Sequence, residues 1–392
     1  MTTGKFDDLQ FDDIEDLKRF DTESWTDTLL RMPKMQLQEI RQSGVYQACI
    51  QRVHRLRLAL REAFVQKEDL IDLMLICTTA QLSMLMLGTW GTGKSMLVRK
   101  LAEGLGISPR TLAIDDEEET LREMLEGRFS SEGRERRHFE YLVTRFTTPE
   151  ELLGTANVHL MLNKAIFMRQ TRGLLPRAEI AFLDEVFKAN SSILNALLAI
   201  MNERVFHNAG RIWRVNLIAL FGASNEAPRD AEEEDLGAFY DRFPVRALCN
   251  PVTNDKLKNM LAVAHRHATA AEFGSLDDPQ DETCQVACVN DLRLLHKISL
   301  LDFGGDELSC ETAESQEFLE RFVGLFQNLR TRFDLSDRSL GQYYRLARAR
   351  ALIDGEHGRK HLVPDDCKVF YYCSKDIQAA SELRSMVDHL LR

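Results

Sequence analysis

The sequence has no stretch that approaches the roughly 18 consecutive apolar residues of a membrane span. Its first residues, from Met1 to Asp27, are acidic and polar, so they do not have the pattern of a secretory signal peptide. The eight cysteines are scattered along 392 residues, which favours free thiols in a reducing compartment over a disulfide framework. These absences predict a cytoplasmic protein without membrane insertion.

The chain also lacks an excess of positive charge. It carries 50 lysines and arginines against 61 aspartates and glutamates, which gives a net charge of −11. An acidic chain is not broadly attracted to DNA or to an anionic membrane, so nucleic acid is not the expected partner. A ring of subunits could still concentrate basic residues in a local channel that the sum conceals.

What the sequence does contain is an alternation of short apolar runs and helical patterns. Four runs are typical of buried parallel strands, at Ser83–Gly88, Phe139–Phe146, Ile180–Asp184 and Leu217–Ala223. Helical spacing predicts two helices over 36–82 and others over Ser95–Gly104 and Ser191–Glu203. After about residue 252 the strand signal fades and long helical patterns dominate. This order predicts a parallel sheet covered by helices, followed by a helical domain.

The segment from Gly88 to Ser95 matches the phosphate-loop pattern GxxxxGK[ST], between a predicted strand and a predicted helix. Glycines let the backbone curl so that several N–H groups point at one phosphate chain. Lys94 can reach the β- and γ-phosphates of ATP, and the Ser95 hydroxyl can ligate Mg²⁺. The predicted nucleotide-binding residues are Gly88, Thr89, Trp90, Gly91, Thr92, Gly93, Lys94, Ser95 and Met96. Trp90 could pack beside the nucleotide or contact neighbouring protein.

Polar residues follow two of the later strands. Asp184 and Glu185 end an apolar run, where Asp184 can hold Mg²⁺ and Glu185 can polarise the attacking water. Asn225 follows the next strand and is predicted to sense the γ-phosphate or to orient the water. The site is therefore predicted to hydrolyse ATP with Mg²⁺.

Three arginines are candidates to complete this site. Arg242 is the first choice and Arg246 the second for a cation supplied to a neighbouring subunit, with an intramolecular salt bridge as the alternative for each. Arg338 follows Ser336 and Asp337, either of which could cap a helix. A cation in the first turn of a helix is unfavourable because of the helix dipole, so Arg338 is expected to have an anionic partner. That partner could be a bound nucleotide or, equally well, a carboxylate near the helix cap.

Beyond these motifs, the chain from about residue 40 to 370 resembles the MoxR family of AAA+ ATPases, and within it the RavA-like branch. The most specific stretches are Thr144–Gly154, Phe182–Ala189, Ile193–Leu198, Asn202–Arg204 and Ala223–Glu226. In this comparison Asn225 stands where sensor 1 is found, Arg242 at the arginine finger, and Arg338 at sensor 2. The resemblance implies an AAA+ α/β core followed by an all-α lid domain. The predicted domains are an acidic extension over 1–35, a nucleotide-binding domain over 36–252, and a lid with C-terminal helices over 253–392.

The resemblance further implies a hexameric ring with ATP between subunits. It implies two inserted elements that face the pore or a partner, one near Ala156–Gly173 and one at the predicted hairpin Val205–Val215. It also implies chaperone-like remodelling with a partner that carries a von Willebrand factor A (vWA) domain. The chain departs from the family at Thr89-Trp90, in a charged insertion around Asp115–Arg137, and in ending soon after the lid, without the extra C-terminal domain of RavA.

Three functional hypotheses follow. The leading one is a Mg²⁺-dependent ATPase that remodels a protein client. The second is an ATP-dependent ring scaffold or switch in which turnover is slow. The third, a nucleic-acid motor, is disfavoured by the acidic balance. The sequence does not name the client.

Overall fold

The computed structural model describes residues 32–42, 44–107, 137–225, 239–273, 286–301, 313–333, 335–374 and 379–391. These residues form two compact units. One unit runs from Leu82 to Pro251, and the other combines the described residues up to Gln81 with those from Val252 onward. The predicted extension over 1–35 and the charged segment Asp115–Arg137 lie almost entirely outside the described residues.

Strands and helices are numbered in chain order. The strands are β1 (Met84–Leu87), β2 (His138–Leu142), β3 (Ile180–Asp184), β4 (Val205–Asn208), β5 (Arg211–Arg214), β6 (Ala219–Ser224) and β7 (Val245–Leu248). The α-helices are α1 (Lys34–Gln42), α2 (Gly44–Ala63), α3 (Glu68–Ala80), α4 (Lys94–Gly104), α5 (Pro149–Leu153), α6 (Val158–Lys164), α7 (Ser191–Asn202), α8 (Leu257–Phe273), α9 (Val289–Leu300), α10 (Ala313–Phe333), α11 (Asp337–Leu352) and α12 (Ala380–Leu391). Short 3₁₀ helices span Leu175–Arg177, Val186–Lys188, Asn254–Lys256 and Pro364–Tyr372.

The unit from Leu82 to Pro251 contains a parallel sheet in the order β2-β3-β6-β1-β7. Every residue of β1 and β6 is buried, as is typical of central strands in a sheet covered on both faces. Because the neighbouring strands run parallel, their carboxyl ends meet at one edge of the sheet, where α/β folds bind ligands. A separate antiparallel hairpin is formed by β4 and β5, as predicted.

The other unit is helical, and a buried ion pair joins two of its helices. Arg52 in α2 donates from Nε to Asp291 Oδ2 at 2.9 Å, and its Nη2 contacts Oδ1. The same carboxylate accepts a hydrogen bond at 2.9 Å from the backbone N–H of Cys288, which precedes α9. Asp291 therefore caps α9 and binds α2 at once. Phe322 and Phe370, whose ring centroids are 4.8 Å apart, pack α10 against the Pro364–Tyr372 helix.

The predicted fold class, an α/β core with a parallel sheet and a helical lid, is confirmed. The sequence predicts residues 36–82 as two helices in the same domain as the sheet. In the structure these residues lie in three helices, α1 to α3, which pack with α9 and α11 of the helical unit. A continuous apolar face on a helix does not indicate which partner will cover it.

One strand prediction is wrong in its extent, and one strand is not predicted at all. The run Phe139–Phe146 was predicted as one strand, but β2 ends at Leu142. A tight turn ends it, since the Thr144 N–H donates to the Thr147 hydroxyl at 2.8 Å. The strand β7 is not predicted, because it is only four residues long and the charged residue Arg246 interrupts its apolar run. Among the helices that the structure describes, none combines the length and apolar character that crossing a membrane requires.

Candidate active site

The loop Gly88–Gly93 connects buried β1 to α4 at the carboxyl edge of the sheet. Gly88 lies so close to the backbone of Cys249 that a Cβ atom there would overlap its carbonyl oxygen. Gly93 has a φ of 82°, a left-handed conformation that favours glycine, and it directly precedes α4. The loop therefore leads into a helix N-terminus, whose unpaired backbone N–H groups are a favourable site for phosphate.

The side chain of Lys94 is buried and folds back over this loop. Its ammonium donates hydrogen bonds to the carbonyl oxygen of Gly88 at 2.5 Å and to Asn225 Oδ1 at 3.1 Å. A buried lysine amine requires such oxygen partners or an anionic ligand. The phosphate loop is thus connected directly to the residue that follows β6.

The other predicted loop residues are placed as follows. The Thr92 hydroxyl donates to the carbonyl oxygen of Thr89 at 2.9 Å and stiffens the loop. Trp90 is almost fully exposed, so packing of the loop makes little use of its indole. Ser95 and Met96 lie in the first turn of α4, with Ser95 half-buried and Met96 exposed.

Asp184 ends β3 and Glu185 follows it with a left-handed φ of 53°. The strained backbone of Glu185 is held by a hydrogen bond from its own N–H to Asp184 Oδ1 at 3.0 Å. β3 and β6 are neighbours in register, which brings Asn225 beside Glu185. The Asn225 side-chain NH₂ donates to Glu185 Oε1 while its carbonyl oxygen accepts from Lys94. Asn225 therefore bridges the predicted phosphate-binding lysine and the predicted catalytic carboxylate.

Lys188 is a further member of this site that the sequence motifs do not predict. It lies in the 3₁₀ helix after β3, and its ammonium is 3.6 Å from Glu185 Oε2. The signal that could have revealed it is the i,i+3 spacing between Glu185 and Lys188 in a tight helix. Glu185 is thus flanked by an amide donor and by a cation.

The two candidate arginine fingers have different surroundings. Arg246 is a buried residue of β7, its guanidinium lies 4.6 Å from the centroid of the Tyr240 ring, and its Nη2 donates to the Tyr240 carbonyl oxygen at 3.2 Å. Arg242 lies before β7 with its Nη1 at 3.5 Å from Asp241 Oδ2. Both arginines therefore contact groups of their own unit, and the role of either one toward a neighbouring subunit stays a prediction.

Arg338 belongs to the helical unit. It is an exposed residue in the first turn of α11, after Ser336 at the N-cap position. The adjacent Asp337 pairs with Arg330 at 2.8 Å. The action of Arg338 on a bound nucleotide stays a prediction.

The predicted magnesium ligands fit the chemistry of that ion. Mg²⁺ prefers oxygen ligands and usually keeps several waters, so it is held by one or two protein groups together with substrate phosphates. The half-buried hydroxyl of Ser95 and carboxylate of Asp184 supply such a pair on adjacent elements. Among the residues that the structure describes, no group of three or more His, Cys, Asp or Glu could form a complete protein cage for a metal ion.

Comparisons with known proteins show which proteins this chain resembles. A family model described as the MoxR domain in the MoxR-vWA-beta-propeller ternary systems matches residues 51–111 and 123–282, more than half of the chain. Two uncharacterized proteins of Methanocaldococcus jannaschii are 37% identical over 251 residues and 42% identical over 195 residues, covering 63% and 50% of this chain. The matched regions span only 59% and 43% of those two relatives.

A crystal structure of a presumed ATPase from Cytophaga hutchinsonii has a similar fold. It matches with a TM-score of 0.60 at 16% sequence identity, covering 91% of this chain and 98% of that one. At this identity the match supports the fold and not a shared activity.

Proposed function

The chain belongs to the MoxR family of AAA+ ATPases, and from that premise we propose that it hydrolyses ATP with Mg²⁺ to change the conformation of a protein client. The observation that carries this proposal is the bridge made by Asn225 between Lys94 and Glu185. A phosphate-binding cation, a γ-phosphate sensor and a general base have to converge on one point for phosphoryl transfer to water.

The residues of the site divide this work. The backbone N–H groups of residues 88–96 and the Lys94 ammonium would bind the phosphates, and Ser95 and Asp184 would hold Mg²⁺. When bound, Mg²⁺ would neutralise part of the negative charge of the phosphates. The Glu185 carboxylate would accept a proton from the attacking water, and the Asn225 amide would orient that water. Arg242 from a neighbouring subunit and Arg338 from the lid would add positive charge at the γ-phosphate.

The partner we propose is a protein with a von Willebrand factor A domain. The description of the matching family, which places the MoxR domain in systems with vWA and β-propeller components, supports this. The hexameric ring, the chaperone-like role and the RavA-like branch rest on the sequence resemblance, and the cytoplasmic location rests on the sequence composition. All four belong to the same proposal.

A slow ATP-dependent switch is the second candidate, and one observation favours it. Glu185 is held by the Asn225 amide on one oxygen and faces the Lys188 ammonium on the other. Both carboxylate oxygens are engaged in this arrangement, so Glu185 would contact the attacking water only after a bound nucleotide or a partner displaces one of these contacts. Turnover of the isolated protein would then be slow and would rise on engagement of a partner.

ATP turnover of the wild type and of Glu185→Gln, with mass photometry of both in ATP, tests these proposals. Hydrolysis by the wild type only, with assemblies in both samples, supports the ATPase that remodels a client. Assemblies without hydrolysis in either sample favour the switch. Turnover that Glu185→Gln leaves unchanged would refute the role of Glu185.

A further inference from the structure

The helix α6 has apolar residues on one stripe, yet none of its residues is buried. Val158, Met161 and Leu162 follow the i, i+3, i+4 spacing of a face that packs against protein. In the structure Val158 is 59% and Leu162 is 75% exposed. An apolar helix face left open on a folded unit marks an interaction site more often than a scattered exposed residue does.

The hairpin β4–β5 continues this exposed surface. Ile212 is 69% exposed, and Trp213 is also exposed. Phe167, which lies three residues after the end of α6, is 57% exposed, and its neighbour Ile166 is exposed as well. We define the insert face as the exposed side chains of residues 156–173 and 205–215, which correspond to the two predicted inserts.

Hydrogen bonds from one buried asparagine hold the two parts of the insert face together. Asn208 Oδ1 accepts from the Arg169 N–H at 2.7 Å, and its Nδ2 donates to the Arg169 carbonyl oxygen at 3.1 Å. The Trp213 indole N–H donates to the Asn208 carbonyl oxygen at 3.1 Å. Because a buried amide with satisfied partners fixes its surroundings, the helix and the hairpin present one surface. A pocket of about 500 Å³ lies between them, lined by Phe167 and His207 among others.

The charge of the insert face is opposite to that of the whole chain. Residues 156–173 and 205–215 contain no aspartate or glutamate, although the chain has 61 of them and a net charge of −11. The basic residues of these segments are Lys164, Arg169, Arg172, Arg211 and Arg214. Arg169 is paired with Glu150 at 3.1 Å, whereas Lys164, Arg172, Arg211 and Arg214 are exposed. Exposed cations around apolar side chains are complementary to an apolar segment that carries negative charge.

We propose that the insert face binds an acidic segment with interspersed apolar side chains, contributed by the protein client. This inference rests on the proposed function, since the ATPase cycle would move the face with its client. A single-stranded nucleic acid would engage cations and aromatic rings. It would leave the aliphatic stripe of α6 and Ile212 uncovered, so a peptide fits the surface better.

Fluorescence anisotropy tests the inference with the full chain. The background is Glu185→Gln in ATP, which holds one nucleotide state without requiring turnover. The probe is a fluorescein-labelled peptide of alternating aspartate and leucine. Controls are lysine–leucine and aspartate–serine peptides of equal length, and single-stranded DNA.

We expect only the aspartate–leucine peptide to bind tightly. Arg211→Glu with Arg214→Glu should weaken it about tenfold or more by reversing two charges, while the lysine pair at the same positions should retain binding. Leu162→Ser with Ile212→Ser should weaken it about tenfold by removing two apolar contacts. Leu142→Ser, an exposed leucine outside the insert face, is the matched control and should have no effect.

Four results would overturn the inference: no binding by the parent protein, equal binding by all variants, preferred binding of the DNA, or loss of assembly by the serine variants in mass photometry. The last result would make the insert face a contact between subunits. Peptide binding and ATP turnover are separate measurements. If the wild type hydrolyses ATP but the Glu185→Gln background does not bind the peptide, this inference alone is refuted. If the background binds the peptide but the wild type does not hydrolyse ATP, the proposed function alone is refuted.

Discussion

Asn225 donates a hydrogen bond from its side-chain amide to the carboxylate of Glu185, although 40 positions separate them in the chain. The contact exists because β3 and β6 are adjacent parallel strands and each residue follows its strand. The same amide accepts a hydrogen bond from Lys94 through its oxygen. Asn225 thus contacts both the predicted phosphate-binding lysine and the predicted general base, which is the arrangement expected of the γ-phosphate sensor that we propose.

Replacement of Asn225 by alanine should therefore reduce catalysis more than nucleotide binding. We expect kcat for ATP hydrolysis to fall about 100-fold, the scale of losing one preorganised hydrogen-bond donor at a reacting centre. The affinity for a fluorescent ATP analogue should change by less than about threefold, because the loop of residues 88–96 is intact. A matching loss of affinity would instead mean that Asn225 chiefly shapes the phosphate loop.

Lys188→Met should raise the basal turnover. The ammonium of Lys188 restrains Glu185 at 3.6 Å but is itself half-exposed, so the ion pair is weak. We expect kcat to rise by no more than about fivefold, the equivalent of a pair of up to about 1 kcal/mol. Lys188→Arg should keep the wild-type rate. A decrease in Lys188→Met would show that the cation assists the reaction.

Gly88→Ala should destabilise the unit that contains the sheet. The added methyl group would overlap the carbonyl oxygen of the buried residue Cys249. We expect a loss of about 1–3 kcal/mol in the free energy of unfolding, typical of overpacking. Urea denaturation followed by circular dichroism measures it. Gly44→Ala at the beginning of α2, where a Cβ meets open space, is the control and should be neutral or slightly stabilising.

Asp291→Ala should destabilise the helical unit strongly. It leaves the buried guanidinium of Arg52 without its carboxylate and removes the acceptor for the Cys288 N–H. The expected cost is about 3–5 kcal/mol, as for other broken buried ion pairs. The double variant Arg52→Met with Asp291→Leu should lose less than Asp291→Ala alone, since no charge is then left buried. If the double variant loses as much free energy of unfolding in urea denaturation as Asp291→Ala does, or more, this account is contradicted.

The amino-acid sequence by itself determined the local features of this protein. The phosphate loop follows from glycines, a lysine and a serine at fixed spacing, and the strand that ends in Asp184 and Glu185 follows from an unbroken apolar run. The hairpin β4–β5 follows from Asn208-Ala209-Gly210 between two β-prone segments. Each is set by interactions among residues a few positions apart, and such interactions leave a pattern that can be read along the chain.

Only the tertiary structure decided which of these features meet. It placed β7 beside β1, grouped the helices before Gln81 with those after Val252, engaged Arg246 with Tyr240, and brought Lys188 and Asn225 to Glu185. It also left the apolar stripe of α6 exposed, where the same spacing on another helix is covered. An apolar residue has the same hydrophobic driving force whichever partner buries it. Pairings between distant segments are therefore selected by the packing of the whole fold.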